Sequence, residues 1–185
     1  MSCVKGTGVL TVYEYLRSLE GDQGMEKLKN ALEPTDRDFY SRPLLPVSWV
    51  DFGYYMRMVV TADRVLGRGN FQVVKDAARY NMDKNFRGIY KVLISFSSVK
   101  FVFNNAKMVW RQWFDHGVLT PDWLGEKVGT LTLTDFPEMP LHHEHNLTAS
   151  IGRIIELSGA KNVKCVHEKC LRKGDPGCQW HITWE

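Results

Sequence analysis

The sequence lacks any uninterrupted apolar run long enough to cross a bilayer. Its two longest apolar stretches, Val47–Val60 and Val92–Val109, are both interrupted by charged residues, whereas a spanning helix needs about 20 consecutive apolar residues. The first residues, MSCVKGTG, show no basic region followed by an apolar core, so we expect no signal peptide. These absences predict a cytoplasmic protein with no membrane span.

A strong excess of one charge is also missing. The chain has 24 basic and 21 acidic residues, for a net charge of +3, and they are dispersed rather than clustered, which argues against a nucleic-acid partner. Phosphate-binding, dinucleotide-binding and serine-nucleophile motifs are absent as well. We therefore expect neither a bound nucleotide nor an enzyme.

Aromatic residues are abundant, with 9 Phe, 7 Tyr and 6 Trp making 12% of the chain. Around residues 98–114 apolar residues recur at helical spacing, which predicts one long helix. We predict that an apolar or aromatic small molecule binds against its aromatic stripe and a nearby tyrosine, and the predicted ligand-binding residues are Tyr90, Phe103, Trp110, Trp113 and Phe114. Core packing of the same rings is the alternative interpretation.

The order of patterns predicts an α+β fold, with an N-terminal helical block packed on a C-terminal antiparallel sheet. Residues 1–46 are expected to be a lead-in segment and residues 47–185 a single compact ligand-binding domain. The helical block covers Trp49–Phe114. A strand at Gly129–Phe136, a helix ending at Ser158-Gly159, and two strands joined by the turn-forming Lys173–Gly177 follow.

Histidine and cysteine concentrate near the C-terminal end, where five of six His and three of four Cys lie between His142 and His181. Thiolates and imidazoles are preferred ligands of zinc, and a hairpin can bring Cys170 and Cys178 together. In a reducing compartment, thiols or metal ligands are expected rather than disulfides. Cys165 has the alternative interpretation of a buried small apolar side chain.

Residues 163–181, VKCVHEKCLRKGDPGCQWH, resemble the C-terminal signature of the 4-vinyl reductase, or hydrocarbon-binding (V4R-like), superfamily. The helical block is similar to that of a small uncharacterised myxobacterial and deltaproteobacterial branch. The resemblance implies an α+β fold like that of haem-NO-binding domains and of Bet-type subunits of the TRAPP tethering complex, with a hydrophobic chamber. It also implies zinc at four positions, with His145 or Cys165 as possible substitutes; the implied ligands are His143, His167, Cys170 and Cys178.

Two patterns argue against a haem cofactor. The haem-NO-binding relatives use a Tyr-x-Ser-x-Arg clamp and a histidine on a preceding helix, whereas Tyr40-Ser41-Arg42 has different spacing and residues 49–114 contain no His.

The predicted function is a non-catalytic small-molecule sensor or binding module with a zinc-clamped hairpin. It would signal through a homodimer interface or a separate partner protein. The alternatives are a scaffolding protein of the same fold and an accessory subunit in tetrapyrrole vinyl reduction.

Overall fold

A computed structural model describes residues 1–86 and 98–185 and confirms the predicted α+β class. Its first half is mainly helical, with a two-stranded antiparallel sheet formed by Cys3–Lys5 and Trp49–Asp51. The elements are β1 (Cys3–Lys5), α1 (Gly6–Ala31), α2 (Pro34–Tyr40), β2 (Trp49–Asp51), α3 (Phe52–Leu66) and α4 (Gln72–Phe86).

The second half places one long helix against a four-stranded antiparallel sheet, whose strands lie in the order Val118–Gly125 (β3), Val128–Thr134 (β4), Cys178–Thr183 (β6) and Lys164–Lys169 (β5). A short 3-10 turn, Leu171–Lys173, lies between the last two strands. The elements are α5 (Val99–Asn104), α6 (Ala106–Trp113), β3 (Val118–Gly125), β4 (Val128–Thr134), α7 (His143–Leu157), β5 (Lys164–Lys169) and β6 (Cys178–Thr183).

The predicted lead-in segment, residues 1–46, contains β1, α1 and α2. Val9, Val12 and Leu16 of α1 are fully buried, because this helix packs against α3 and α4. The helical backbone of α1 is interrupted at Glu20 and Gly21, where Gly21 has φ +62°, so α1 consists of two helices joined by a kink.

The predicted single helix over residues 98–114 is wrong in detail, because the chain forms two helices separated at Asn105. Strand β3 was not predicted. It contains Pro121 and lies at the edge of the sheet, the position where a strand tolerates proline and need not show an apolar alternation.

Helix α7 occupies the centre of the second half and contacts both α4 and β5. Arg153 of α7 reaches Asp83 of α4, with 2.6 Å between Nη2 and Oδ1, and Arg79 of α4 reaches Glu156 with 2.7 Å between Nη2 and Oε2. These ion pairs hold α7 against α4. Both the candidate metal centre and the interior cavity described below include residues of α7. Within the described ranges no helix is long and apolar enough to cross a bilayer.

Candidate metal centre and interior cavity

Four predicted metal-ligating side chains meet at one end of the sheet. His143 begins α7, His167 lies on β5, Cys170 follows β5, and Cys178 begins β6. One ligand atom from each side chain lies within 4.8 Å of those of the other three. The structure thus brings together residues that are up to 35 positions apart in the sequence.

The separations suit a shared ion. Nε2 of His143 lies 3.7 Å from Sγ of Cys170 and 3.5 Å from Sγ of Cys178. A tetrahedral divalent ion with metal–nitrogen and metal–sulfur distances of about 2.1 and 2.3 Å holds such atoms about 3.6 Å apart. The nitrogen and both sulfurs therefore need little movement to coordinate one ion.

His143 is oriented by the loop that precedes α7. Its Nδ1 donates to the carbonyl oxygen of Pro140 over 2.8 Å, so Nε2 is free to direct its lone pair at the two sulfurs. The side chain is 1% exposed, and burial lowers the pKa of His143 to about 4. The ring is neutral at pH 7, which is the form that binds a metal.

His167 enters the cluster from β5, just before a bulge in the pairing with β6. Its ring stacks on Trp180, with centroids 4.9 Å apart, and burial lowers the pKa of His167. Its Nε2 is buried and has no hydrogen-bond partner among the described residues. Such an atom carries an energetic cost that coordination would remove.

Hydrogen bonds within the segment between β5 and β6 position the side chains of Cys170 and Cys178. The backbone N–H of Leu171 donates to Sγ of Cys178 over 3.4 Å, and the N–H of Cys170 donates to Oδ2 of Asp175 over 2.7 Å. Burial raises the pKa of Cys178 to about 12, so this thiol keeps its proton unless a cation displaces it.

The two substitutes considered from the sequence lie outside this cluster. Cys165 is on β5, where its Cβ would be 3.6 Å from a Cβ added at Gly152 of α7, and burial raises its pKa to about 12. His145 instead stacks on Phe71, with centroids 4.1 Å apart.

An interior cavity of about 60 Å³ lies between α4, α6, α7 and β1. Trp110, Trp113 and Phe114, three of the predicted ligand-binding residues, line it. Phe103 borders a separate void of about 30 Å³ and packs against Trp123, with centroids 4.7 Å apart. Tyr90 lies outside the described residues.

The sequence reasoning missed the polar end of this cavity. Nδ2 of Asn146 donates to the hydroxyl oxygen of Tyr55 over 3.1 Å, and both residues line the cavity. Burial raises the pKa of Tyr55 to about 12. Tyr55 and Asn146 are 91 positions apart, and neither belongs to a motif, so no local signal connects them.

Comparison with known proteins gives matches in structure alone. No family model matches the chain, and no curated protein matches it either. The fold is similar to that of an H-NOX protein from S. oneidensis in the Fe(II)NO ligation state, with TM-score 0.72, 12% identity, and coverage of 98% of this chain and 99% of that one. An unliganded Fe(II) H-NOX protein from K. algicida gives TM-score 0.70 at 8% identity, covering 98% and 96%.

A third solved structure is described as an oxygen-binding H-NOX domain related to soluble guanylate cyclases. It gives TM-score 0.65 at 14% identity, covering 98% of this chain and 95% of that one. The chain therefore shares the H-NOX fold over nearly its whole length. At these identities the likeness concerns the fold.

The predicted resemblance to the V4R-like superfamily is wrong, because the structures that match are H-NOX domains. The motif at residues 163–181 covers a single hairpin, and a local feature of this kind can occur in different folds. The vinyl-reduction alternative came from that resemblance and loses its basis with it.

The predicted cofactor set, zinc with no haem, is also contradicted, because the matched domains are described with heme, Fe(II) and bound oxygen or NO; none of these descriptions mentions zinc. In this chain, however, no His or Cys is among the described residues that line the 60 Å³ cavity. Pockets for larger ligands measure roughly 300–1,000 Å³. The described residues that line this cavity therefore offer a porphyrin neither an imidazole or thiolate ligand for its iron nor enough space.

Proposed function

We propose that this protein is a ligand-binding sensor domain in which a divalent metal ion at His143, His167, Cys170 and Cys178 braces the C-terminal hairpin. The observation that carries the proposal is the convergence of four ligand atoms within 4.8 Å, with one histidine nitrogen left unpartnered. Two thiolates with two imidazoles form a donor set that soft and borderline metals prefer.

Such an ion would join α7 to the hairpin. One ligand comes from the first turn of α7 and three come from the β5–β6 segment. Further along the same helix, Thr148 accepts a hydrogen bond from Nε1 of Trp180 over 2.9 Å, and Asn146 and Ser150 line the cavity. A shift of α7 on ligand binding would therefore reach the hairpin, which is the kind of two-state element that a sensor needs.

Metal analysis tests this proposal. We expect protein purified without chelator to hold about one equivalent of transition metal per chain, and Cys170→Ser to lose it and become less stable, because metal binding is linked to folding. Cys165→Ala is the matched control, since it removes a thiol of β5 that lies outside the cluster. A parent protein without metal, or a Cys170→Ser variant that keeps both metal and stability, contradicts the proposal.

The ligand of the interior cavity would be small. A volume of about 60 Å³ is less than half of the roughly 150 Å³ that holds a benzene molecule, so it suits a molecule of a few heavy atoms. The walls are mainly apolar, and Tyr55 and Asn146 supply a polar end. The predicted aromatic ligand would need a larger space.

Xenon is a suitable probe of this cavity. We expect a concentration-dependent ¹²⁹Xe chemical shift with the parent protein, reduced by Ser150→Val, which places an extra methyl group in the cavity wall. Ala149→Val, also on α7 and partly exposed, is the control, because Ala149 is not among the described residues that line the cavity. An equal shift in parent and Ser150→Val proteins would show that xenon binds elsewhere.

The homodimer interface, the signalling partner and the cytoplasmic location stay predictions.

A further inference from the structure

A second group of metal-ligating side chains lies beside the first turn of α7. Ligand atoms of His142, Glu144 and His145 all lie within 4.8 Å of one another. Nε2 of His145 is 3.6 Å from Oε1 of Glu144, and two ligands of one tetrahedral ion are separated by about 3.3–3.6 Å. All three side chains are partly exposed, so an ion can reach them from solvent.

An aromatic ring holds the two imidazoles in place. The ring of Phe71 stacks on His145 with an interplanar angle of 13°, and lies 4.7 Å from the ring of His142. Phe71 has φ +64° and His142 has φ +63°, a region that side chains other than glycine rarely adopt. The carboxylate of Asp63, which is 1% exposed, accepts the N–H of Phe71 over 2.9 Å and keeps this backbone in position.

We propose that His142, Glu144 and His145 form a second, exchangeable site for a divalent transition metal ion. Two imidazoles and one carboxylate suit Zn²⁺, Co²⁺ or Ni²⁺. Three protein ligands leave at least one coordination position for water or an exogenous anion. The site contains no sulfur and is open to solvent, so it differs in both respects from the buried cluster that contains Cys170 and Cys178.

The surroundings favour weaker binding at this second site. The positive end of the α7 dipole disfavours a cation by a modest amount, and the carboxylate of Glu144 offsets that effect. Glu144 also lies 3.6 Å from Nδ1 of His143, so its charge is shared between the two sites. An entry path exists, because His142 lines a surface depression of about 350 Å³ that also contains Arg57 and Arg64.

Equilibrium dialysis against buffered Zn²⁺, followed by elemental analysis, tests the proposal. We expect the parent protein to hold one equivalent tightly and to take up a second at higher free Zn²⁺. His145→Ala and the isosteric Glu144→Gln should each lose the second equivalent and keep the first. Cys170→Ser should show the reverse, so failure of the buried site and failure of this one are distinguishable.

His181→Ala is the matched control. His181 is also partly exposed, and its Nδ1 lies 3.9 Å from Oε1 of Glu168, but no third ligand joins this pair among the described residues. The control should keep the second equivalent. A parent protein that takes up no second equivalent, or a second equivalent that survives in both His145→Ala and Glu144→Gln, overturns the proposal.

Discussion

Acid should destabilise the metal-free protein through His143. This imidazole is buried against the hairpin, where its pKa falls from 6.5 to about 4. Between these two values the unfolded chain binds a proton at this residue that the folded chain does not bind, so the free energy of unfolding decreases as the pH falls. A change from 6.5 to about 4 corresponds to about 3 kcal/mol. Above pH 7.5 the residue contributes no pH dependence.

Urea unfolding measures this effect. The free energy of unfolding is determined at pH 7.5 and at pH 4.5 with EDTA present, for the parent and for His143→Asn. Asparagine retains an N–H donor for the carbonyl of Pro140 but does not titrate. The difference between the two pH values should be smaller in the variant by about 2–3 kcal/mol.

Other groups also titrate in this range, but their contributions cancel when the parent and the variant are compared. If the two proteins lose the same stability on acidification, the neutral, buried state assigned to His143 is wrong. The orientation of its Nε2 towards the sulfurs would then need another explanation.

Two substitutions away from the metal sites test the packing. Asp63→Ala should lower the free energy of unfolding, measured by urea titration, by about 3 kcal/mol. The substitution removes the charged acceptor of two backbone N–H groups, one of them that of Phe71 at 2.9 Å. A loss below about 1 kcal/mol would refute this. Gly129→Ala should cost about 1–3 kcal/mol, because its Cβ would lie 2.8 Å from Cζ of the fully buried Phe103. Gly152→Ala, in mid-helix with Cβ of Cys165 3.6 Å from the added Cβ, should be neutral or stabilising by thermal unfolding. Equal losses of stability for the two glycine substitutions would contradict this packing.

Local patterns were enough to predict the C-terminal part of the molecule from β4 onwards. Strands β4, β5 and β6 and helix α7 follow from signals that depend only on neighbouring residues. These signals are the alternation near Leu131 and Leu133, the turn residues before Cys178 and the helix stop at Gly159. Spacing also pointed to Cys170 and Cys178, because a hairpin brings close together residues that are near in sequence. The full set of four, with His143 and His167, came from the resemblance to the V4R-like superfamily.

The first half was harder to predict because its structure depends on contacts between residues that are distant in the sequence. Helix α1 contains Gly8, Gly21 and Gly24, residues with poor helix propensity, and its burial depends on α3 and α4. The family assignment failed for a related reason. It rested on the hairpin, whereas the fold is defined by how α1, α4 and α7 pack, which no short motif records.

The walls of the interior cavity come from distant parts of the chain, including Val4, Tyr55, Trp110 and Ile151. No partly folded species that lacks any one of these parts can enclose the same space. A guest molecule therefore stabilises only the completed structure, and its presence should slow unfolding while leaving the refolding rate nearly constant. The effect of a guest molecule on the unfolding rate therefore shows whether the whole domain has folded.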